Sequence, residues 1–153
     1  MTRPSEALAA LGLTLPPVAA PVAAYIPAVR DGDLVWTSGQ LPMVDGSLAA
    51  AGLVGGDVTP ERAQELARTC ALNAVAAAAD VAGDIDALGG VLKVVGFVAS
   101  APGFTGQPGV VNGASALLGE IFGDAGKHAR SAVGVASLPL GAPVEVEAIF
   151  RLA

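Results

Sequence analysis

Apolar and polar positions follow two periods in this chain, and the change from one to the other marks out its elements. Between Thr59 and Gly83 the apolar residues Ala63, Leu66, Ala67, Cys70, Ala71, Ala74, Val75 and Ala78 recur three and four apart, while Glu61, Glu65 and Arg68 fall outside their stripe. That spacing predicts one amphipathic helix. Thr59 supplies an N-cap oxygen, Pro60 suits the first helical position, Glu61 sits at the positive end, and Gly83 stops the helix near Ala82. A second helix is predicted from Pro108 or Val110 to Phe122, closed by Gly123, and a short one from Ser5 to Leu11, closed by Gly12. The proline-rich run Leu15 to Pro21 reads as an extended strap.

Period-two alternation takes over elsewhere. Tyr25–Val29 and Leu34–Ser38 form two short strands around Arg30-Asp31-Gly32-Asp33, where Asp-Gly signals a hairpin. Asp45-Gly46 and Gly55-Gly56 mark a loop, and valine-rich Val91–Ala99 reads as a third strand. In Ala129–Ala136, residues Arg130, Ala132, Gly134 and Ala136 share one face, with Ser131, Val133 and Val135 on the other. In the last strand Glu145 and Glu147 oppose Val144, Val146 and Ala148. Each of these two strands offers a valine face for a core and a second face suited to a site. The order strand, strand, helix, strand, helix, strand, strand, with antiparallel pairs expected at both ends, predicts an α+β domain with its helices on one face of a mixed sheet. Residues 1–153 read as a single domain, with a helix and strap over 1–21 and a core over 22–153.

Composition narrows the function classes. A chain of 153 residues can bury a real core without disulfides, and its one cysteine cannot form an intramolecular bridge. The net charge of −6, with only eight lysines and arginines, offers no basic patch for nucleic acid. Val94 to Gly119 is free of charge, but Pro102, Gly103, Gly106, Pro108 and Gly109 exclude one spanning helix. Glu6, Pro16, Pro17 and Pro21 likewise interrupt what could pass for a signal peptide, so cytoplasmic residence is expected.

Arg130 and the paired glutamates carry the candidate chemistry. A planar guanidinium matches the two oxygens of a carboxylate, though a strand arginine also serves as a structural ion-pair partner. Either Glu145 or Glu147 is suited to orienting a water as a general base, and alternation alone does not choose between them. Tyr25 offers a hydroxyl to a pocket or simply half-buries on a strand. Cys70 falls on an apolar helix face, which predicts an inert buried thiol. His128, the single histidine, has no partners at metal-ligand spacing. No dinucleotide fingerprint, phosphate loop or serine elbow is present.

Thr37-Ser38-Gly39-Gln40-Leu41-Pro42, Asn73, Asn112, Ala129-Arg130-Ser131, Leu138-Pro139 and Val144-Glu145-Val146-Glu147-Ala148 follow one another from about Val22 onward. In order and spacing this series resembles the Rid (YjgF, L-PSP) family of reactive-intermediate deaminases. The resemblance implies a chorismate-mutase-like mixed sheet with two main helices on one face, assembled as a homotrimer with clefts between subunits. It further implies hydrolysis of enamines and imines of the 2-aminoacrylate type to a 2-keto acid and ammonia, with no metal and no organic cofactor. Carried over by position, Arg130 holds the substrate carboxylate, Glu145 positions the attacking water, and Tyr25 and Gly39 line the cleft. Ala132 stands where many members have cysteine, Gly134 where a glutamate is common, and His128 where a proline precedes Ala-Arg-Ser. These departures place the chain in a divergent subgroup with a wider cleft beside Arg130. Two other functions remain to be weighed: a non-catalytic trimer that binds a carboxylated metabolite, and the endoribonuclease of the family's older designation, against which the acidic balance and lone histidine speak.

Overall fold

The computed structural model describes residues 1–18 and 24–153. Among the described residues, seven strands and three α-helices follow one another as α1 (Pro4–Ala10), β1 (Ala28–Asp31), β2 (Leu34–Thr37), β3 (Met43–Val44), β4 (Ser47–Leu48), α2 (Pro60–Ala82), β5 (Leu88–Ala99), α3 (Gln107–Phe122), β6 (Ala129–Val135) and β7 (Val144–Leu152). Five strands form one sheet in the order β1-β2-β7-β5-β6, and β3 and β4 pair separately. Only β5 and β6 run parallel; the pairs β1-β2, β2-β7 and β5-β7 are antiparallel. The family-like mixed sheet with helices on one face is therefore present.

α2 has the predicted bounds, with the Thr59 hydroxyl accepting from the Arg62 amide at 3.1 Å. Every residue of its predicted stripe is buried, and Ala76, Ala77 and Ala79 are buried too. Alanine on both flanks lets α2 lie close to α3 and to β7. Gly113 of α3 shows how close: a Cβ there would collide with the backbone carbonyl of Gln64 on α2. Val144, Val146, Ala148 and Phe150 of β7 face this helical layer, and all are buried. Fully sequestering a side chain of this kind contributes about 1.5–3 kcal/mol.

Four expectations need correction. β1 starts at Ala28, so Tyr25 precedes the strand, and the two-residue turn is Gly32-Asp33, with Gly32 at φ +60°. Asp45 and Gly46, at φ +51° and +80°, close the β3-β4 hairpin within what the sequence offered only as a loop. β6 and β7 are not neighbours; both flank β5. Finally, the valine face of β6 points away from the helices. The parallel register sets Arg130 level with Val94, Ala132 with Gly96 and Gly134 with Val98, and Val94 and Val98 are buried against the helices. Val133 pairs instead with Phe97 on the uncovered face and is 43% exposed. Part of the predicted strap, from residue 19 to 21, lies outside the described residues.

Candidate functional site

The edge strand β6 brings Arg130 against α3. Its Nη1 donates to Asn112 Oδ1 at 2.8 Å and to Ser115 Oγ at 3.3 Å. Asn112 and Ser115 are three residues apart, so one helical face presents both acceptors. Among the described residues, Nε and Nη2 have no hydrogen-bond partner, which leaves the side-on fork of the guanidinium available for two oxygens. Arg130 lines an open groove of about 360 Å³ together with Ser115, Gly119, Gly126, Lys127 and His128. Lys127 adds a second cation and is held at 3.0 Å by Asp124, both highly exposed. A pair in that setting is worth little. The groove thus holds one guanidinium and one ammonium, the latter paired with Asp124, on a chain of net charge −6.

His128 lines the same groove. Its Nδ1 lies 2.6 Å from the Gly126 carbonyl oxygen and its Nε2 lies 2.9 Å from Ser115 Oγ. The sequence offers His128 as a lone candidate metal ligand and as the replacement for the proline that precedes Ala-Arg-Ser, and Ser115 is not among its candidates. The available signal was helical: Ser115 lies one turn after Asn112, on the face that meets the strand starting at Ala129.

Glu145 forms a second focus. It is level with Phe97 in the β5-β7 register, and therefore on the face away from the helices, together with Glu147. Arg130 and Glu145 consequently project from opposite faces of one sheet. Partial burial raises the Glu145 pKa above its ordinary 4.5, and the neighbouring Glu147 charge raises it further. Gly39 sits directly against this carboxylate; a Cβ built on Gly39 would lie 2.6 Å from Glu145 Oε1. Gly39 and Glu145 are therefore brought together, whereas Arg130 lies apart from both.

Tyr25 is 56% exposed just before β1, at the sheet edge opposite β6. Four strand spacings separate those edges, about 19 Å. Ala132 packs on the core beside Arg130. The space beyond it is not hollow: the Gln107 amide comes within 2.8 Å of where a Gly134 Cβ would stand, and it donates to Ser100 Oγ at 3.1 Å. Cys70 is fully buried, its thiol donating to the Val144 carbonyl at 3.7 Å, and burial drives its pKa well up. Among the described residues no helix is long and apolar enough to cross a membrane.

Comparison with known proteins follows the same outline. The family description "YjgF/chorismate mutase-like, putative endoribonuclease" matches residues 5–150. A solved protein of unknown function from Agrobacterium tumefaciens is 47% identical, with a TM-score of 0.87 over 96% of this chain and 91% of its own. A structure from Shewanella oneidensis that carries the same endoribonuclease designation is 32% identical, with a TM-score of 0.94 over 99% of this chain and 100% of its own. TdcF from E. coli, solved with bound serine, is 27% identical, with a TM-score of 0.63 over 87% of this chain and 91% of its own.

Proposed function

The chain belongs to the YjgF/chorismate mutase-like family, and from that premise we propose that it hydrolyses small carboxylate-bearing imines and enamines, of the 2-aminoacrylate type, to the 2-keto acid and ammonia. The observation that carries this reading is the Arg130 guanidinium, which lines the groove and is held through Nη1 by Asn112 and Ser115 while Nε and Nη2 have no hydrogen-bond partner among the described residues. A bidentate carboxylate on that fork presents the adjacent C=N carbon in one orientation, and attack by a held water then approaches a unimolecular step. The serine in TdcF carries a carboxylate of the same kind.

Glu145 is the group that orients the water. Its raised pKa suits a carboxylate that exchanges a proton nearer neutrality than an ordinary glutamate does. Because Arg130 and Glu145 project from opposite sheet faces, the complete site needs Glu145, Gly39 and Tyr25 from a second copy. A homotrimer with one cleft at each subunit boundary meets that need. The uncovered sheet face, carrying Trp36, Val133 and Val29 at 49%, 43% and 49% exposure, supports the same assembly.

The test is keto-acid release while an amino-acid oxidase or a dehydratase generates the imine. The protein is expected to accelerate release, and Arg130→Ala to lose the gain, because a charge-assisted bidentate contact is worth about 1.5–3 kcal/mol, roughly 10- to 150-fold. Unchanged activity in that variant overturns the mechanism. Carboxylate binding at Arg130 with no turnover on any of several imines assigns the groove to metabolite sensing instead. RNA cleavage finds no support in a chain of net charge −6.

A further inference from the structure

For a neutral His128 ring the hydrogen bonds around it have one consistent direction. A carbonyl oxygen can only accept, so the 2.6 Å contact to Gly126 places a proton on Nδ1. In the neutral ring Nε2 is then the acceptor, and the Ser115 hydroxyl, 2.9 Å away, donates to it. The Ser115 oxygen in turn accepts from Arg130 Nη1 at 3.3 Å, since a guanidinium cannot accept. The chain of bonds runs from Arg130 through Ser115 and His128 to a backbone carbonyl. It holds the imidazole in the tautomer that acts as a base and aims it at a hydroxyl lining the groove of about 360 Å³.

We propose that Ser115 and His128 are the acid–base pair of the Arg130 groove, Ser115 touching the reacting water or nitrogen and His128 acting through it as a positioning and proton-storing residue. The proposal rests on the deaminase reading and deepens it. Within one chain His128 is the only further titratable side chain, among the described residues, that hydrogen bonds link to the Arg130 guanidinium, and the link runs through Ser115. Glu145 projects from the other face and reaches this groove only from a neighbouring copy. The other charges about the ring are Arg130 and Lys127 in the groove, Asp124 bound to Lys127, and Glu120 of α3, bound by Arg68 at 3.0 Å.

The steps balance. Water attacks the iminium carbon and forms the C–O bond; one water proton passes to Ser115 Oγ as the serine proton passes to His128 Nε2, leaving a neutral carbinolamine. The imidazolium returns that proton through Ser115 to the amine nitrogen. The C–N bond then breaks with its electron pair on nitrogen, the hydroxyl proton passes by the same route to His128 as the carbonyl forms, and the imidazolium yields it through Ser115 to the departing ammonia, which leaves as ammonium and restores the neutral ring. No redox partner is required.

The experiment is the pH dependence of imine hydrolysis from pH 5 to 9 for the intact protein, His128→Gln and Ser115→Ala, with pyruvate affinity measured on each. The protein should show an acid limb within that range, because a general base works only when unprotonated. Glutamine can still accept from Ser115 but does not titrate, so His128→Gln should lose the limb and about 10²- to 10⁴-fold in kcat, with KM and pyruvate affinity within about threefold. Ser115→Ala removes one oxygen from a helix and should reproduce the loss without altering β6. Retained rate and limb in both variants overturn the proposal and leave the deaminase reading standing. Full activity in Arg130→Ala overturns the reading, and the proposal with it.

Discussion

Glycine at position 39 is a functional choice rather than a conformational one. Its backbone does not need a positive φ, so alanine fits the chain, yet the added methyl would meet the Glu145 carboxylate at 2.6 Å. That carboxylate is the far end of a flexible side chain and can swing aside at little cost to the fold. Gly39→Ala is therefore expected to lower kcat by tenfold or more while shifting Tm by less than about 3 °C, read by imine turnover and thermal melting of one preparation. Glu145 itself links activity to stability. Its folded pKa lies above 4.5 because burial and Glu147 disfavour the charge. Stability associated with the neutral form is complete below the unfolded value and is lost as pH rises through the folded one. Glu145→Gln should accordingly lose turnover yet melt higher than the parent at pH 7 to 8, with the difference vanishing near pH 4. A parent that melts higher at neutral pH would contradict the raised pKa.

At the scale of elements, the helices were legible and the faces of the strands were less so. The ends of α2 could be read as Thr59 and about Ala82 because Thr59, Pro60 and Gly83 mark its termini and an apolar stripe from Ala63 to Ala79 runs along the 23-residue helix between them. Alternation in β6 separated two faces correctly but did not reveal which one is covered. Val133 and Val135 gave the more apolar face, and the sheet places them on its open side, where Phe97 and Ile149 also stand. Arg130 and Glu145 were readable as chemistry-bearing residues. The Ser115–His128 link was not, because a helix residue and a loop residue 13 positions apart share no period. The α2-α3 contact makes a sharper test of packing. Alanine at Gly113 gains about 1 kcal/mol in helix propensity, but its methyl would overlap the Gln64 backbone carbonyl, which cannot rotate away. Overlap should win, so Gly113→Ala is expected to lower the unfolding free energy by about 1–3 kcal/mol in urea titrations.

At the scale of the whole molecule, the helices cover one face of the sheet and leave Trp36, Val29 and Val133 on the other. Sedimentation is expected to give a mass three times the 14.9 kDa chain, and Val133→Asp is expected to shift it toward monomer and abolish turnover together. A monomeric parent with full activity would refute the shared cleft. The opposed projection of Arg130 and Glu145 also determines how defects combine. Two inactive proteins, Arg130→Ala and Glu145→Gln, should regain activity when their subunits are exchanged, because some boundaries then join an intact arginine to an intact glutamate. Random mixing in equal amounts restores about one boundary in four in a cyclic trimer. Arg130→Ala mixed with His128→Gln should restore nothing, since those two residues serve the same groove from the same chain. Genetic complementation thus distinguishes which residues act in cis and which in trans across a boundary.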